Sequence, residues 1–350
     1  MTGLSDELLR SALRDAAATV RDEDLRPLPA APPPRRPRLV PFGGLAAAVA
    51  VTVVALLVAA PWSRHPGLSL AAYTGVDYVL EGAWPPGAAS VTVRKADTGR
   101  QVATVPAPAG SGGFRNSADS GDHRTFVLTT ADPRACRVRF HRLVLGADGR
   151  PSGAPTELRG ADLRQRMGEG PEQLAVSPGA RRIAYAGREC DPSGRGTITV
   201  VDPATGEHRV TRLPPRALAS SLRWAPNGRE LVFETMGDYL EPGLHTLDTA
   251  TGRVSPISLG GGDGRLHGAM FDKNGTHIVA LVRNGGRNRV VWYAPASKTI
   301  TREVPLPSSD PDAPTTFEVA GNRVVAMIGD RVHVVTGTKV TTGRADRLPG

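Results

Sequence analysis

The side chains able to do chemistry are scattered along this chain, and their spacing limits what they can do. The 350 residues hold no Gly-x-Ser-x-Gly nucleophile elbow, no Gly-x-x-x-x-Gly-Lys phosphate loop and no His-Glu-x-x-His pair. The eight histidines, among them His123, His141, His245 and His267, lack metal-ligand spacing and are expected to be ordinary strand or loop residues. Gly260-Gly-Gly-Asp-Gly264 has neither the lysine nor the strand-to-helix setting of a phosphate loop. No catalytic residue, metal or cofactor is therefore expected, and the chain reads as a non-enzyme. What remains is recognition chemistry. Arg134, Arg188, Asp191, Arg195, Tyr239, Glu241 and Arg287 place charged and aromatic groups in segments punctuated by Gly and Pro. Cys136 and Cys190 are the two cysteines of the chain.

These groups need a scaffold, and the chain repeats one. Leu174-Ala-Val-Ser-Pro-Gly-Ala-Arg-Arg-Ile-Ala-Tyr185, Leu222-Arg-Trp-Ala-Pro-Asn-Gly-Arg-Glu-Leu-Val-Phe233 and Ala269-Met-Phe-Asp-Lys-Asn-Gly-Thr-His-Ile-Val-Ala280 each read strand, tight turn, strand. Pro178, Pro226 and Lys273 hold equivalent turn positions, at steps of 48 and 47 (226−178 and 273−226). A second phrase keeps step: Thr199-Val-Val-Asp-Pro-Ala-Thr-Gly206, His245-Thr-Leu-Asp-Thr-Ala-Thr-Gly252 and, more loosely, Val291-Trp-Tyr-Ala-Pro-Ala-Ser-Lys298. Here Asp and Gly supply the side-chain hydrogen bond and the positive φ of a turn between a third and a fourth strand. Two turn signals locked to one period indicate β-propeller blades.

The phrases S/A-P-x-G-x-x-I/L-A/V-Y/F and D-x-x-T-G resemble the WD40-like repeat of TolB-type propellers, most clearly over residues 165–305. Asp97-Thr-Gly-Arg100 repeats the second turn early, and Phe317 to Met327 repeats the first hairpin late. Phe114 to Leu158 reads as a longer blade with Thr125–Thr130 as its second strand. Nothing here matches the α/β domain that TolB proteins carry ahead of the propeller. The expected fold is all-β, about six four-stranded blades over residues 64–350. The last blade, Thr315 to Ala345, reads as complete in itself, so ring closure is expected to be loose or to rely on the segment just after the uncharged stretch 39–63.

Two further expectations depend on this layout. Each cysteine follows the second strand of its blade and the two blades are consecutive, which allows either a bridge or two separate buried thiols; the bridge is the expectation. The first-to-second and third-to-fourth turns are short and regular and share one side of the ring. The second-to-third loops and inter-blade connections share the other side and carry the seven recognition residues named above, so that side is the expected ligand face.

Residues 39–63 contain no charge, and the stretch from Phe42 to Ala60 has Thr52 as its only hydroxyl. At 1.5 Å per residue that stretch spans roughly 28 Å as a helix, close to a bilayer's hydrocarbon core. Arg26, Arg35, Arg36 and Arg38 precede it and Arg64 follows, so the positive-inside rule puts the N-terminus in the cytoplasm and the propeller outside, at the cell membrane. A signal peptide cleaved after Ala60 is the competing reading, but it would leave Pro61 at the cut. Residues 1–38 hold a capped amphipathic helix over residues 5–21, with Leu9, Leu13, Ala16 and Val20 on one face, and a Pro/Arg-rich linker. That face could dock on a cytoplasmic protein partner or on the membrane surface, or the segment could be a tail. The layout resembles that of membrane-bound regulators such as anti-sigma factors.

The charge balance is Lys+Arg 43 against Asp+Glu 34. Arg supplies 39 of the 43 basic residues, and Lys occurs only at 95, 273, 298 and 339. Because the excess is dispersed, it reads as a coding bias toward Arg, and no nucleic-acid partner is expected. The expected partners are the membrane, through one span, and a protein or cell-envelope ligand on the propeller.

Overall fold

The computed structural model describes residues 76–344 except 83–86, 133, 168–172, 237–242, 260–264, 308–312 and 314. The anticipated span 39–63 and helix 5–21 lie outside the described residues, as do Tyr239 and Glu241. Among the described residues no helix is long and apolar enough to cross a membrane.

Six antiparallel sheets succeed one another along the chain, each a propeller blade. Blade 1 holds β1 (Tyr78–Glu81), β2 (Ser90–Lys95) and β3 (Gln101–Pro106). Blade 2 holds β4 (Phe114–Asp119), β5 (Thr125–Asp132), β6 (Arg137–Val144) and β7 (Thr156–Glu157). Blade 3 has β8 (Arg166–Met167), β9 (Leu174–Val176), β10 (Ile183–Arg188), β11 (Gly196–Val201) and β12 (His208–Arg212). Blade 4 has β13 (Leu218–Trp224), β14 (Glu230–Met236), β15 (Gly243–Asp248) and β16 (Arg253–Ile257). Blade 5 has β17 (Arg265–Phe271), β18 (Ile278–Asn284), β19 (Arg287–Ala294) and β20 (Thr299–Pro305). Blade 6 has β21 (Thr315–Ala320), β22 (Arg323–Ile328), β23 (Arg331–Thr336) and β24 (Lys339–Arg344).

The burial of each strand follows its place in the blade. Second and third strands are covered on both faces by neighbouring blades, so they read as continuous apolar runs: Ile183 to Gly187 of β10 are all buried. Outer strands such as β12 have solvent on one side and are mostly exposed. Five hydrophobic clusters stitch the blades pairwise. Phe114, Phe126 and Val93 join blades 1 and 2, and Phe140, Ile183 and Tyr185 join blades 2 and 3. Leu222, Phe233 and Ile198 join blades 3 and 4, Val232 and Ile278 join blades 4 and 5, and Trp292 and Phe317 lie between blades 5 and 6. Among the described residues no such cluster joins blades 6 and 1.

The fold departs from a uniform four-stranded plan at two points. The Asp97-Thr-Gly99 turn lies between β2 and β3, so these are third and fourth strands and β1 is a second strand. Among the described residues, blade 1 thus lacks the innermost strand that every other blade has. In blade 3 the innermost strand is split: β8 and β9 pair with opposite ends of β10. Blade 6 supplies four strands of its own, and among the described residues no strand is exchanged with blade 1.

The third-to-fourth turns show why the repeat phrase recurs. The Asp202 carboxylate accepts hydrogen bonds from the Ala204 and Thr205 amides at 2.8 and 3.3 Å, and Gly206 N–H donates to the Asp202 carbonyl at 2.8 Å. Asp248 does the same with Ala250 and Thr251 at 2.9 and 3.0 Å, and with Gly252 at 2.8 Å. Gly206 and Gly252 both have φ of 77°, a left-handed conformation that glycine adopts without steric cost. In blade 5, Lys298 fills that position at φ 55°.

Candidate recognition face

The two ends of the ring differ in chemistry. The turn face carries the first-to-second and third-to-fourth turns, among them the Asp202 and Asp248 turns, whose carboxylates are consumed internally. The loop face carries the second-to-third loops and the connections between blades.

Five of the seven residues expected on the loop face are described, and the strand order puts all five there. Arg134 is exposed in the loop between β5 and β6, which is shaped by the Asp132 carboxylate accepting from the Arg134 and Ala135 amides at 3.0 and 3.1 Å. Arg188 ends β10, and the loop after it turns on Asp191, whose carboxylate accepts from Ser193 Oγ at 2.5 Å and from Gly194 N–H at 3.2 Å. Those bonds, Ser193's hydroxyl first, hold the Asp191 carboxyl below its ordinary range. Arg195 is turned inward: its Nε donates to the Leu213 carbonyl at 2.6 Å, tying this loop to the connection into blade 4. Arg287 follows the two-residue turn Gly285–Gly286, with φ of 54° and 77°, and is exposed.

The loops of blades 2 and 3 are joined covalently. Cys136 and Cys190 form a disulfide with a Cα–Cα distance of 6.2 Å. The bond ties the β5–β6 loop to the β10–β11 loop across the blade boundary, so Arg134 and Asp191 are carried on one linked rim.

Sequence reasoning missed a second polar site. Innermost strands of blades 2, 3, 4 and 6 enclose a channel cavity of roughly 440 Å³, whose wall includes Asp119, His123, Arg223, Trp224 and Glu318. His123 Nδ1 donates to Asp119 Oδ2, and this hydrogen bond raises the imidazole's pKa. The only sequence signal was the Asp-x-x-x-His spacing in a first-to-second turn; Asp272 and His277 form a similar pair, at 3.3 Å, in blade 5. The residues expected on the loop face and those lining this cavity are different sets. Among the described residues no cluster of His, Cys, Asp and Glu is arranged to hold a metal ion.

No family model and no curated protein matches the chain. Solved structures do. TolB from Acinetobacter baumannii aligns with 79% of this chain and 64% of its own length, at 16% identity and a TM-score of 0.48. Oligogalacturonate lyase from Vibrio parahaemolyticus aligns with 76% of this chain and 74% of its own, at 11% identity and 0.53. Dipeptidyl peptidase 4 from Porphyromonas gingivalis aligns with 77% of this chain and 45% of its own, at 13% and 0.47. The chain thus spans less than two thirds of that TolB, and the likeness is one of fold: the propeller that the repeat resemblance implies. The comparison corrects one expectation. The lack of linear catalytic motifs led to a non-enzyme reading, yet a lyase is built on the same architecture. One fold hosts unrelated functions, so a missing short motif does not decide whether this chain has a catalytic site.

Proposed function

We propose that the chain is a single-pass, membrane-anchored extracytoplasmic propeller that recognises a protein or cell-envelope ligand through its loop face. The observation that carries this reading is the division of labour between the two ends of the ring. The turns of one end are short and repeat one geometry, as at Asp202 and Asp248, whereas Arg134, Arg188 and Arg287 of the other stand on loops of differing length between rigid strands. The uncharged run 39–63 and the arginines before it support the anchor and its orientation. Crosslinking of the intact protein in its native membrane, with Arg188→Glu plus Arg195→Glu compared against Arg229→Glu on the turn face, tests the assignment. Partner capture should fall for the first variant and persist for the second; equal effects from both faces refute it.

A second reading makes the chain a transmembrane regulator that senses through the propeller and signals through residues 5–21. It is motivated by the apolar stripe Leu9, Leu13, Ala16 and Val20, which a lone helix cannot cover. Deleting residues 1–26 separates the two: ligand capture survives under both, but a cytoplasmic response is lost only under the second.

A further inference from the structure

Three Asn-Gly pairs occur in the chain: Asn227-Gly228, Asn274-Gly275 and Asn284-Gly285. Such a pair can react within itself. The backbone nitrogen of the glycine adds to the side-chain carbonyl carbon of the asparagine and ammonia leaves. Water then opens the resulting succinimide to aspartate or isoaspartate. Glycine favours the step because, without a Cβ, its backbone reaches the ring geometry freely. By local sequence the three pairs are equivalent; in the folded protein they are not.

In two of them the attacking nitrogen is occupied. Gly228 N–H donates to the Ala225 carbonyl at 2.9 Å and Gly275 N–H to the Asp272 carbonyl at 3.0 Å. Both belong to first-to-second turns packed against the preceding blade. A Cβ on Gly228 would lie 4.0 Å from Ser177 of blade 3, and one on Gly275 would lie 3.3 Å from Pro226 of blade 4. The Asn227 side chain is held as well, its Oδ1 accepting from Arg229 N–H at 2.8 Å. Reaction at either site must wait for its turn to open.

Asn284-Gly285 differs on each count. Asn284 ends β18 and pairs with Arg287 across the two-residue turn of the β18–β19 hairpin. Among the described residues Gly285 N–H has no acceptor and the Asn284 side chain has no hydrogen bond. A Cβ on Gly285 or Gly286 would meet nothing within 4 Å among the described residues, and both glycines are exposed, so water reaches the pair. Gly285 and Gly286 themselves supply the positive φ, 54° and 77°, that the turn requires. The turn therefore makes no demand for an amide at position 284.

We propose that Asn284 is a site of self-modification: in the folded protein its side chain cyclises onto Gly285, releases ammonia and is hydrolysed to an acidic residue, while Asn227 and Asn274 persist. The two products differ in their effect on the hairpin. Aspartate leaves the backbone as it was and sets a carboxylate opposite Arg287, an attractive cross-strand pairing. Isoaspartate lengthens the main chain by a methylene and breaks the register of residue 284 with Arg287. Either product adds a negative charge between Arg283 and Arg287 on the loop face.

The test incubates the full chain in neutral detergent at pH 8 and at pH 6, in water enriched in heavy oxygen, and follows all three sites by peptide mapping. In the native protein at pH 8, conversion at Asn284 should run about tenfold or more faster than at Asn227 or Asn274, which must first give up a hydrogen bond and their packing. It should slow at pH 6, because the attacking nitrogen must lose its proton. In urea the three rates should converge, since the fold that separates them is gone. Equal native rates, or a lead for Asn227 or Asn274, overturn the inference. A lead for Asn284 that survives unchanged in urea also overturns it, because neighbouring sequence rather than the fold would then be its cause. The variant Asn284→Asp, identical to one product, should melt with the wild type; a clear fall in Tm contradicts the pairing with Arg287.

Discussion

Removing the Cys136–Cys190 bond should lower stability by a magnitude that chain statistics supply. The bond closes a sequence separation of 54 between loops of consecutive blades. In the chain-entropy description, a loop of that length removes about 14 cal/mol/K from the unfolded ensemble, or about 4 kcal/mol at room temperature. The native boundary does not need the bond to form. Phe140 and Tyr185 meet edge-to-face at 5.8 Å, and Val138 and Ile183 are buried beside them. The double variant Cys136→Ser, Cys190→Ser should therefore fold to the same structure and lose its stability through the unfolded state. Residues Trp62–Gly350 form one compact unit. At about 2.1 cal/mol/K per residue the unfolding entropy of a unit this long is about 0.6 kcal/mol/K, so the variant should melt about 7 °C lower. Calorimetry of wild type with and without reductant, beside the double variant, measures this directly. A reduced protein melting within about 2 °C of the oxidised one would refute the reasoning, because the bond would then constrain chain that is already constrained when unfolded.

Acidification should destabilise the propeller. Burial lowers the pKa of His141, His245, His267 and His333, so their contribution is intact above the ordinary value of 6.5 and is lost as pH falls through it toward the folded values. His123 acts oppositely, since its raised folded pKa adds stability on the acid side, but it is one group against four. Urea midpoints between pH 8 and pH 5 should fall, and a flat profile contradicts the assignment. Lys298→Gly should raise stability by about 0.5–1 kcal/mol by relieving a left-handed lysine, measured as a shift in urea midpoint. Gly196→Ala should cost about 2 kcal/mol or more, because its new Cβ would lie 2.1 Å from the Ala217 carbonyl oxygen, and thermal melts would show it.

The parts of the fold legible in the sequence were those fixed by local chemistry. An Asp that binds amides two and three residues ahead, with a glycine at positive φ to finish, writes the same phrase wherever the turn occurs, and so Asp202 and Asp248 revealed the period. Innermost strands were less legible because they are irregular: β4, β13 and β17 each carry a register shift, and β8 and β9 are separate pieces. Blade 1 matched at its Asp97-Thr-Gly99 turn, which belongs to its outer strands, and so gave no hint about its centre. The loop-face residues could be assigned to a side by counting strands. The unequal standing of the three Asn-Gly pairs could not be read that way. Their letters are identical, and only the hydrogen bonds and packing of their turns separate Asn284 from Asn227 and Asn274.

The five hydrophobic joints among six blades have a thermodynamic meaning that closure of the ring obscures. With no strand exchanged and no apolar cluster between blades 6 and 1 among the described residues, the energetics are those of a linear array bent until its ends meet. Among the described residues, blades 2 to 5 each have two apolar neighbours, whereas blades 1 and 6 have one. Cooperative loss of structure should therefore start at the two chain ends and travel inward, meeting last in blades 3 and 4. Backbone amide exchange would then report a gradient along the sequence, rather than the uniform protection of a ring locked by a shared strand. An array of this kind would also tolerate a change in the number of its units, because among the described residues no blade reaches across to hold the others.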